Sequence, residues 1–356
     1  MRVALVGPPF SGKSTVFAAV AEAGGSEVHL ERPDTEHLAV VKVPDERLDW
    51  LFEHYRPGKR VHAEMEFLDV PGLDLTTEAS RQRSRSHWPA VRQSDAIGFV
   101  LRAFADDAVP AYRDRVDPAG DLAELTDELL FSDLEQATAR IEKLTAALTR
   151  PTPDRDEHAR ELELMERLRA ALEAEKPLTE AVAGEAEEKA VRAFAFLTLK
   201  PSVVVVNCDE DAAAGGGPAA MGGRPVVRLS AKIEEEIAAL PAEERGPFME
   251  AMGIETPAAE KLIRSCYDAL DLVTFFTHGE KEARAWSVPA GTDAVTAAGE
   301  VHTDMARGFI RAEVVAFEDL RAAGSDKAAR AAGKFRLEGK SYVVRDGDVI
   351  HFRFNV

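Results

Sequence analysis

Gly7, Gly12, Lys13 and Ser14 stand at the spacing G-x-x-x-x-G-K-S in RVALVGPPFSGKST, residues 2–15. That spacing suits a polyphosphate. Glycines let the backbone curl with its N–H groups pointing inward, and a helix that follows offers its positive N-terminal end to the same anion. Lys13 would reach the β- and γ-phosphates as a point charge, while the Ser14 hydroxyl would hold Mg²⁺ against their oxygens. The context fits, because a strand run from Val3 to Val6 precedes the motif and a helix-competent run, TVFAAVAEA, follows it. A glycine-rich structural turn is the competing reading, and this strand–loop–helix context weighs against it.

Further along, AEMEFLDVPGL ends in Asp69-Val70-Pro71-Gly72, a D-x-x-G box. A carboxylate at a strand's end can hold the Mg²⁺ shell through water, and the Gly72 amide can approach a γ-phosphate because no side chain intervenes. Thr35, ahead of the alternating run Leu38 to Val43, can add a hydroxyl to the same ion, although an ordinary turn residue beside Asp34 fits equally. The candidate metal ligands are thus Ser14, Thr35 and Asp69. After the box, DLTTEASRQRSRSHW carries Arg81, Arg83 and Arg85 at period two with no apolar periodicity, which predicts a mobile switch or loop. Beside Lys13, one of these arginines is a catalytic candidate, neutralising charge on the transferring phosphoryl. The alternative is that they are solvated or touch RNA phosphates.

A base would be read at later strand ends. PSVVVVNCDED delivers Asn207, Cys208, Asp209 and Glu210, and PVVRLSAK delivers Ser230, Ala231 and Lys232. A guanine-reading box is N-K-x-D, with the carboxylate accepting from N1–H and the N2 amine. Here Cys208 stands where the lysine would cover the base, and Glu210 is one methylene longer than the aspartate, so the guanine clamp is compromised. For Asn207 a second reading, a buried asparagine bonding neighbouring loops, is compatible with base recognition.

The elements that must position these groups are legible in outline. AIGFVLRAF, residues 96–104, is apolar enough for the centre of a parallel sheet, and with the other strands it predicts an α/β fold, the doubly wound, mostly parallel sheet of a P-loop NTPase. Residues 121–149 and 155–174 place apolar residues at helical spacing, and Pro151 and Pro153 separate them, which predicts an inserted antiparallel α-helical hairpin. From Val273 the texture turns to short strands, with Asp346-Gly347-Asp348 as a turn signal, and predicts a small α+β module. The expected domains are 1–110 with 195–272 for the nucleotide, 111–194 for the helices and 273–356 for the module.

The 356 residues, 45% hydrophobic, allow well-formed cores, and their net charge of −19 excludes a surface that clings to nucleic acid everywhere. DNA is not an expected partner, and RNA contact must be local. The best local basic stretch is 327–340, with Lys327, Arg330, Lys334, Arg336 and Lys340, against a solvated helix and turn as the plain reading. Neither a membrane-spanning run nor a signal-peptide pattern occurs, so the cytoplasm is the expected compartment and no membrane partner is expected. Cys208 and Cys266 provide no disulfide framework and no metal-ligand spacing.

Taken together, GPPFSGKSTVF, VPDERLD, EFLDVPGL, DAIGFVLRAF, AFLTLKP, the Asn207/Glu210 box, KEARAWSVPAG, HTDMARGFIRAEVVAFEDL and GKSYVVRDGDVIHFRFNV resemble the YchF or Obg-like ATPases, a branch of the translation-factor P-loop GTPases, over essentially the whole chain. The resemblance implies that residues 273–356 are a TGS domain, ubiquitin-like in fold. It also implies ATP preferred over GTP, Mg²⁺ dependence, ribosome association at the large subunit or its rRNA, and a monomer. Gly7, the run Phe10, Ser11, Gly12, Lys13, Ser14 and Thr15, and Gly72 match the triphosphate-binding positions. Asn207, Glu210, Ser230 and Ala231 match the base-reading ones. Leu73 matches the hydrophobic residue that replaces the catalytic glutamine of many GTPases. Departures stand beside these matches: TTEASRQRSRSHWPA replaces the family's glycine-rich switch and its G-N-x-F-L signature, and Ala111 occupies the place of a histidine implicated in hydrolysis. No switch cysteine is present to support redox control. The expectation is a divergent member with weak intrinsic ATPase activity. A nucleotide-sensing ribosome-binding module with negligible hydrolysis and a GTP-specific Obg-like GTPase remain as alternatives.

Overall fold

The computed structural model describes residues 1–26, 28, 35–149, 153–214, 217–254 and 256–355. Most of the polar run before Thr35, Asp34 included, and the breaker Pro151 lie outside the described residues. The chain forms two compact units, one of Met1–Ala19, Val28–Leu38 and Phe67–Ala259, the other of Val20–Glu27, Ala39–Glu66 and Glu260–Val356. The helical residues 111–194 fall inside the first unit, and residues 39–66 fall with the C-terminal part of the chain.

The strands are β1 (Arg2–Val6), β2 (His37–Lys42), β3 (Lys59–Val61), β4 (Glu64–Asp69), β5 (Ala96–Ala103), β6 (Ser202–Cys208), β7 (Ala220–Met221), β8 (Arg224–Leu229), β9 (Leu272–His278), β10 (Glu282–Pro289), β11 (Phe309–Ala316), β12 (Arg336–Glu338) and β13 (Asp348–Phe354). One sheet runs β2-β4-β1-β5-β6-β8-β7. Its centre is parallel, with Val6 opposite Phe99, Leu101 opposite Val206 and Val206 opposite Arg228. Buried on both faces, β1, β5 and β6 read as continuous apolar runs rather than alternating ones. Parallel pairing brings their carboxyl ends to one edge, so the loops after β1, β5, β6 and β8 open side by side there.

The helices begin with α1 (Lys13–Ala23), α2 (Glu46–Tyr55), α3 (Glu78–Arg85), α4 (Trp88–Arg92), α5 (Pro118–Leu148) and α6 (Arg155–Glu173). The expectation of a loop after the D-x-x-G box is corrected at α3. Thr77 and Ser80 form a reciprocal capping box, each side chain accepting the other's backbone N–H at 3.1 Å. The buried face of this helix carries Ser80 and Ser84 instead of apolar residues, with Ser84 Oγ donating to the Asp74 carbonyl at 3.2 Å. A test for apolar periodicity is blind to such a face.

Asp117 caps α5 by accepting from Gly120 N at 3.0 Å, and Pro118 occupies the first turn. The helix then serves two cores in succession. Leu122, Leu125 and Leu129 pack with the sheet. About two to four turns later Ala137, Ile141 and Leu144 pack with Leu164, Met165, Leu168 and Leu172 of α6, the expected hairpin. Between the two cores Asp133, fully buried, accepts from Arg92 Nη1 at 2.8 Å, Leu197 N at 3.0 Å, Thr198 N at 2.8 Å and Thr198 Oγ1 at 2.9 Å.

The second unit holds a mixed sheet ordered β12-β11-β13-β9-β10-β3. β9 pairs antiparallel with β10 and parallel with β13, while β13 pairs antiparallel with β11. Helix Ala294–Val301 covers one face through Ala294, Ala297 and Ala298, against Phe275, Val288, Phe309 and Ile350. β3 adds an edge strand from far upstream, with Lys59 opposite Glu282. The basic stretch 327–340 is largely neutralised within this unit: Arg330 pairs with Glu313 at 2.7 Å, Lys334 with Asp319 at 3.0 Å and Arg336 with Asp348 at 3.5 Å. Among the described residues no helix is long and apolar enough to cross a membrane.

Truncating Asp133 leaves a guanidinium and two amides without their shared acceptor in the interior, a loss expected to cost about 3–5 kcal/mol. Asp133→Ala should therefore lower the urea midpoint sharply; an unchanged midpoint would show that the seam between the cores carries no stability.

Candidate nucleotide site

Lys13 and Ser14 open α1, and Asp69 ends β4. Lys13 is 5% exposed, and its Nζ donates to Asp69 Oδ1. Ser14 Oγ donates to the other oxygen, Oδ2, at 2.8 Å. One buried carboxylate thus holds the cation and the hydroxyl side by side. Lys13 and Asp69 are both desolvated, so removing either would strand an uncompensated charge.

The turn that carries these groups requires its glycines. A Cβ on Gly7 would lie 2.3 Å from the Val100 carbonyl oxygen, and one on Gly12 would lie 2.1 Å from Asn207 Nδ2, with Gly12 also at φ 80°. Gly72 packs against the same loop, where a Cβ would meet Pro9 Cα at 3.0 Å, and Leu73 N donates to the Gly7 carbonyl at 2.9 Å. The loops after β1 and β4 are therefore in backbone contact. Phe10 adopts φ 63° and is more than half exposed. Ser11 Oγ is buried without a hydrogen-bond partner. A glycine cradle, an unsatisfied hydroxyl, one cation and hard oxygen donors are a donor set that fits a polyphosphate with Mg²⁺.

Beside the loop lies a cavity of about 430 Å³ whose lining includes Gly12, Thr15, Phe104, Asn207, Glu210 and Lys232. Asn207 is 4% exposed and uses both ends of its amide on backbone: Nδ2 donates to the Ser11 carbonyl at 3.1 Å and Oδ1 accepts from Ala231 N at 3.0 Å. It acts as a tie between the phosphate loop and the loop after β8, the bonding role weighed for it above. Cys208 Sγ donates to the Leu229 carbonyl at 3.4 Å, and burial pushes its thiol pKa up. Ser230 caps helix Ala231–Ala239 by accepting from Ile233 N at 3.5 Å. Glu210, at the start of helix Glu210–Ala214, accepts from Lys232 Nζ at 3.1 Å. Both of these side chains are exposed, and the carboxylate holds the lysine's pKa above its usual value.

Sequence reasoning missed Phe104 and the residue that places it. Arg102, 5% exposed in β5, donates to the carbonyls of Phe104 at 3.2 Å, Asp106 at 3.2 Å, Val109 at 3.1 Å and Pro110 at 3.0 Å, with its guanidinium 4.3 Å from the Phe104 ring centroid. The loop is wound round a buried cation, which sets an aromatic ring in the cavity wall. A single arginine inside an otherwise apolar strand run was the available signal.

Three further residues sit as follows. Leu73 is fully buried in the sheet core. Ala111 precedes the short turn Tyr112–Asp114, and Tyr112 Oη accepts from Leu75 N at 3.1 Å. Thr35 is exposed, with Oγ1 3.5 Å from His37 Nε2. Two of the three arginines of α3 turn toward α5. Arg85 Nε donates to Glu128 Oε1 at 2.6 Å, and Arg81 Nε lies 3.6 Å from Glu128 Oε2. Arg83 is exposed and helps, after the Thr76 hydroxyl, to hold the Asp74 carboxyl below its usual range. Among the described residues none of the three is hydrogen-bonded to the phosphate loop.

Two substitutions separate the roles of this cradle. Gly12→Ala forces a Cβ onto Asn207 at a left-handed φ and should reduce triphosphate affinity at least about tenfold by calorimetry, a loss of about 1.4 kcal/mol. Asn207→Ala leaves the Ala231 amide unpaired and should lower stability by about 1–3 kcal/mol in denaturant unfolding. Full affinity in the first, or full stability in the second, would contradict the geometry.

Comparison with known proteins agrees with this architecture. A family model described as "50S ribosome-binding GTPase" matches residues 2–140, and the C-terminal YchF model, described as "Protein of unknown function (DUF933)", matches 272–355. The chain is 39% identical to the "Ribosome-binding ATPase YchF" of Bacillus subtilis (strain 168), over 100% of both chains, and 38% identical to the protein of that name in Haemophilus influenzae, over 100% of this chain and 99% of the other. The Schizosaccharomyces pombe YchF GTPase structure superposes with a TM-score of 0.85 at 30% identity, covering 99% of this chain and 97% of that one. With the phosphate cradle, the altered base box and the C-terminal module all in one chain, the protein belongs to the YchF family of P-loop GTPase-type proteins.

Proposed function

We propose that this chain binds ATP with Mg²⁺, associates with ribosomes in the cytoplasm and hydrolyses ATP slowly. The observation that carries the nucleotide assignment is the pairing of Glu210 with Lys232 at the cavity, 3.1 Å apart. A guanine clamp needs a carboxylate free to accept two donors, N1–H and the N2 amine. Adenine presents one donor, its N6 amine, beside an acceptor, N1. A carboxylate next to an ammonium supplies the complementary acceptor and donor. Phe104 offers an apolar face for the ring, and Asn207, bonded once at each end of its amide, is held in the cavity wall with its second N–H left for the base.

At the phosphate end Lys13 binds the β- and γ-oxygens and the loop amides from Phe10 to Thr15 orient them. Ser14, Asp69 and Thr35 are the residues that would hold Mg²⁺, which when bound neutralises charge on the same oxygens. Leu73, buried in the core, cannot orient an attacking water. Arg81 and Arg85 are engaged by Glu128, so slow intrinsic turnover is the expectation. Ribosome association rests on the relatives' names, and with a net charge of −19 the contact must be confined to local patches. We assign 1–110 with 195–272 to the nucleotide-binding domain, 111–194 to the helical insertion and 273–356 to a TGS domain, with the chain acting as a monomer.

Calorimetry with both triphosphates tests the reading. ATP should bind at least about tenfold more tightly than GTP, a difference of about 1.4 kcal/mol, and Lys232→Ala should shrink that preference. Lys13→Ala should abolish measurable binding of either. A clear GTP preference would refute the adenine assignment, and turnover that stays undetectable with purified ribosomes would reduce the protein to a nucleotide sensor.

A further inference from the structure

Away from the nucleotide site, the second unit brings together three residues that no sequence motif connects. His278 ends β9, His351 lies in β13, and Asp326 opens helix Asp326–Ala331. One ligand atom from each lies within 4.8 Å of the others. The histidine nitrogens approach the two carboxylate oxygens separately: His278 Nε2 is 3.4 Å from Asp326 Oδ1, and His351 Nε2 is 3.5 Å from Oδ2. Both distances exceed a good hydrogen bond, and both Nε2 atoms are buried with no hydrogen-bond partner. The His278 side chain is only 6% exposed, so this nitrogen is withdrawn from bulk solvent.

Two buried nitrogens face the two oxygens of one carboxylate at ion-pair distance yet lack a hydrogen bond, and an ion shared among the three residues would satisfy all of them. Metal–ligand bonds of about 2.0–2.1 Å at the tetrahedral angle separate neighbouring ligand atoms by about 3.3–3.4 Å, and one atom from each of the three residues already lies within 4.8 Å of the others, so small side-chain rotations bring them onto a shared ion. The surroundings fix the ligands in place. Tyr55 stacks on His278 with centroids 4.2 Å apart, and its hydroxyl donates to Asp326 Oδ1 at 2.8 Å, an outer hydrogen bond of the kind that orients a metal-binding carboxylate. His351 stands edge-on to His278 at 4.8 Å. The ligands border a cavity of about 530 Å³, which leaves a way in for a small ion.

We propose that His278, Asp326 and His351 form a binding site for one divalent transition-metal ion of the zinc class. Two imidazoles and one carboxylate suit Zn²⁺, Co²⁺ or Ni²⁺ far better than Mg²⁺, whose preferred partners are oxygens, so the site is chemically distinct from the one around Ser14 and Asp69. Three protein ligands leave a fourth position for water or an incoming group. A bound ion would cross-link β9, β13 and the helix at Asp326, and so stabilise the second unit.

The test uses the full chain, stripped with chelator and free of nucleotide, titrated with Co²⁺ alone and then with Zn²⁺. The expected result is the intense visible absorption of four-coordinate Co²⁺ at one equivalent, erased by one equivalent of Zn²⁺, with a rise in the melting temperature on Zn²⁺ addition. His278→Gln, His351→Gln and Asp326→Asn should each weaken Zn²⁺ at least about tenfold, whereas His302→Gln, at an exposed pair with Asp304, should leave it unchanged. Asp326→Asn keeps an acceptor for Tyr55, and circular dichroism identifies any variant that fails to fold. Absence of the four-coordinate spectrum in the parent chain overturns the proposal without recourse to variants. Equal affinity in parent and folded variants overturns it as well.

Discussion

The buried carboxylate of Asp69, shared between Lys13 and Ser14, is the constraint on which the rest of the nucleotide site depends. Sheet order places β4 next to β1, so the end of one strand delivers the acid and the loop after the other delivers the base. Both groups of the ion pair are about 5% exposed, a setting in which charge–charge attraction is strong and an unmatched charge is expensive. A triphosphate entering this loop would have to take over Lys13 from Asp69, and the freed carboxylate would then be available to a hydrated cation. Ligand and protein acid compete for a single ammonium, and the glycines at 7, 12 and 72 bring the loops close enough for the exchange to be local.

The same economy of buried polar groups recurs along α5. Glu128 receives Arg81 and Arg85 from α3, and Asp133 receives Arg92 from α4 together with the amides of Leu197 and Thr198. The segment that follows D-x-x-G, where P-loop proteins respond to the γ-phosphate, is thus hydrogen-bonded to a long helix whose far half packs in the hairpin core. α3 meets this helix at Glu128 and at Phe131, whose ring centroid lies 5.1 Å from the Arg85 guanidinium.

Much of this was legible in the sequence because it is written locally. Glycine and lysine spacing, apolar runs in β1, β5 and β6 and the leucine periods of α5 and α6 each reflect one element's own geometry. What escaped depends on contacts between distant segments. α3 buries serines, so no hydrophobic period marks it. β3 is three residues long and is a strand only because β10 lies beside it. Asn207 and Glu210 were visible as a box, but their partners Ser11, Ala231 and Lys232 are set by loop packing. His278, Asp326 and His351 lie in three separate elements with no ligand spacing to betray them.

The competition at Asp69 is open to a direct measurement: ATP affinity with and without Mg²⁺, in the parent chain and in Asp69→Asn. If the carboxylate is what ATP displaces from Lys13 and what then serves the cation, Asp69→Asn should bind ATP more tightly than the parent in the absence of Mg²⁺ and gain little when Mg²⁺ is added. A parent-like increase in affinity on adding Mg²⁺, with no gain in its absence, would contradict the account.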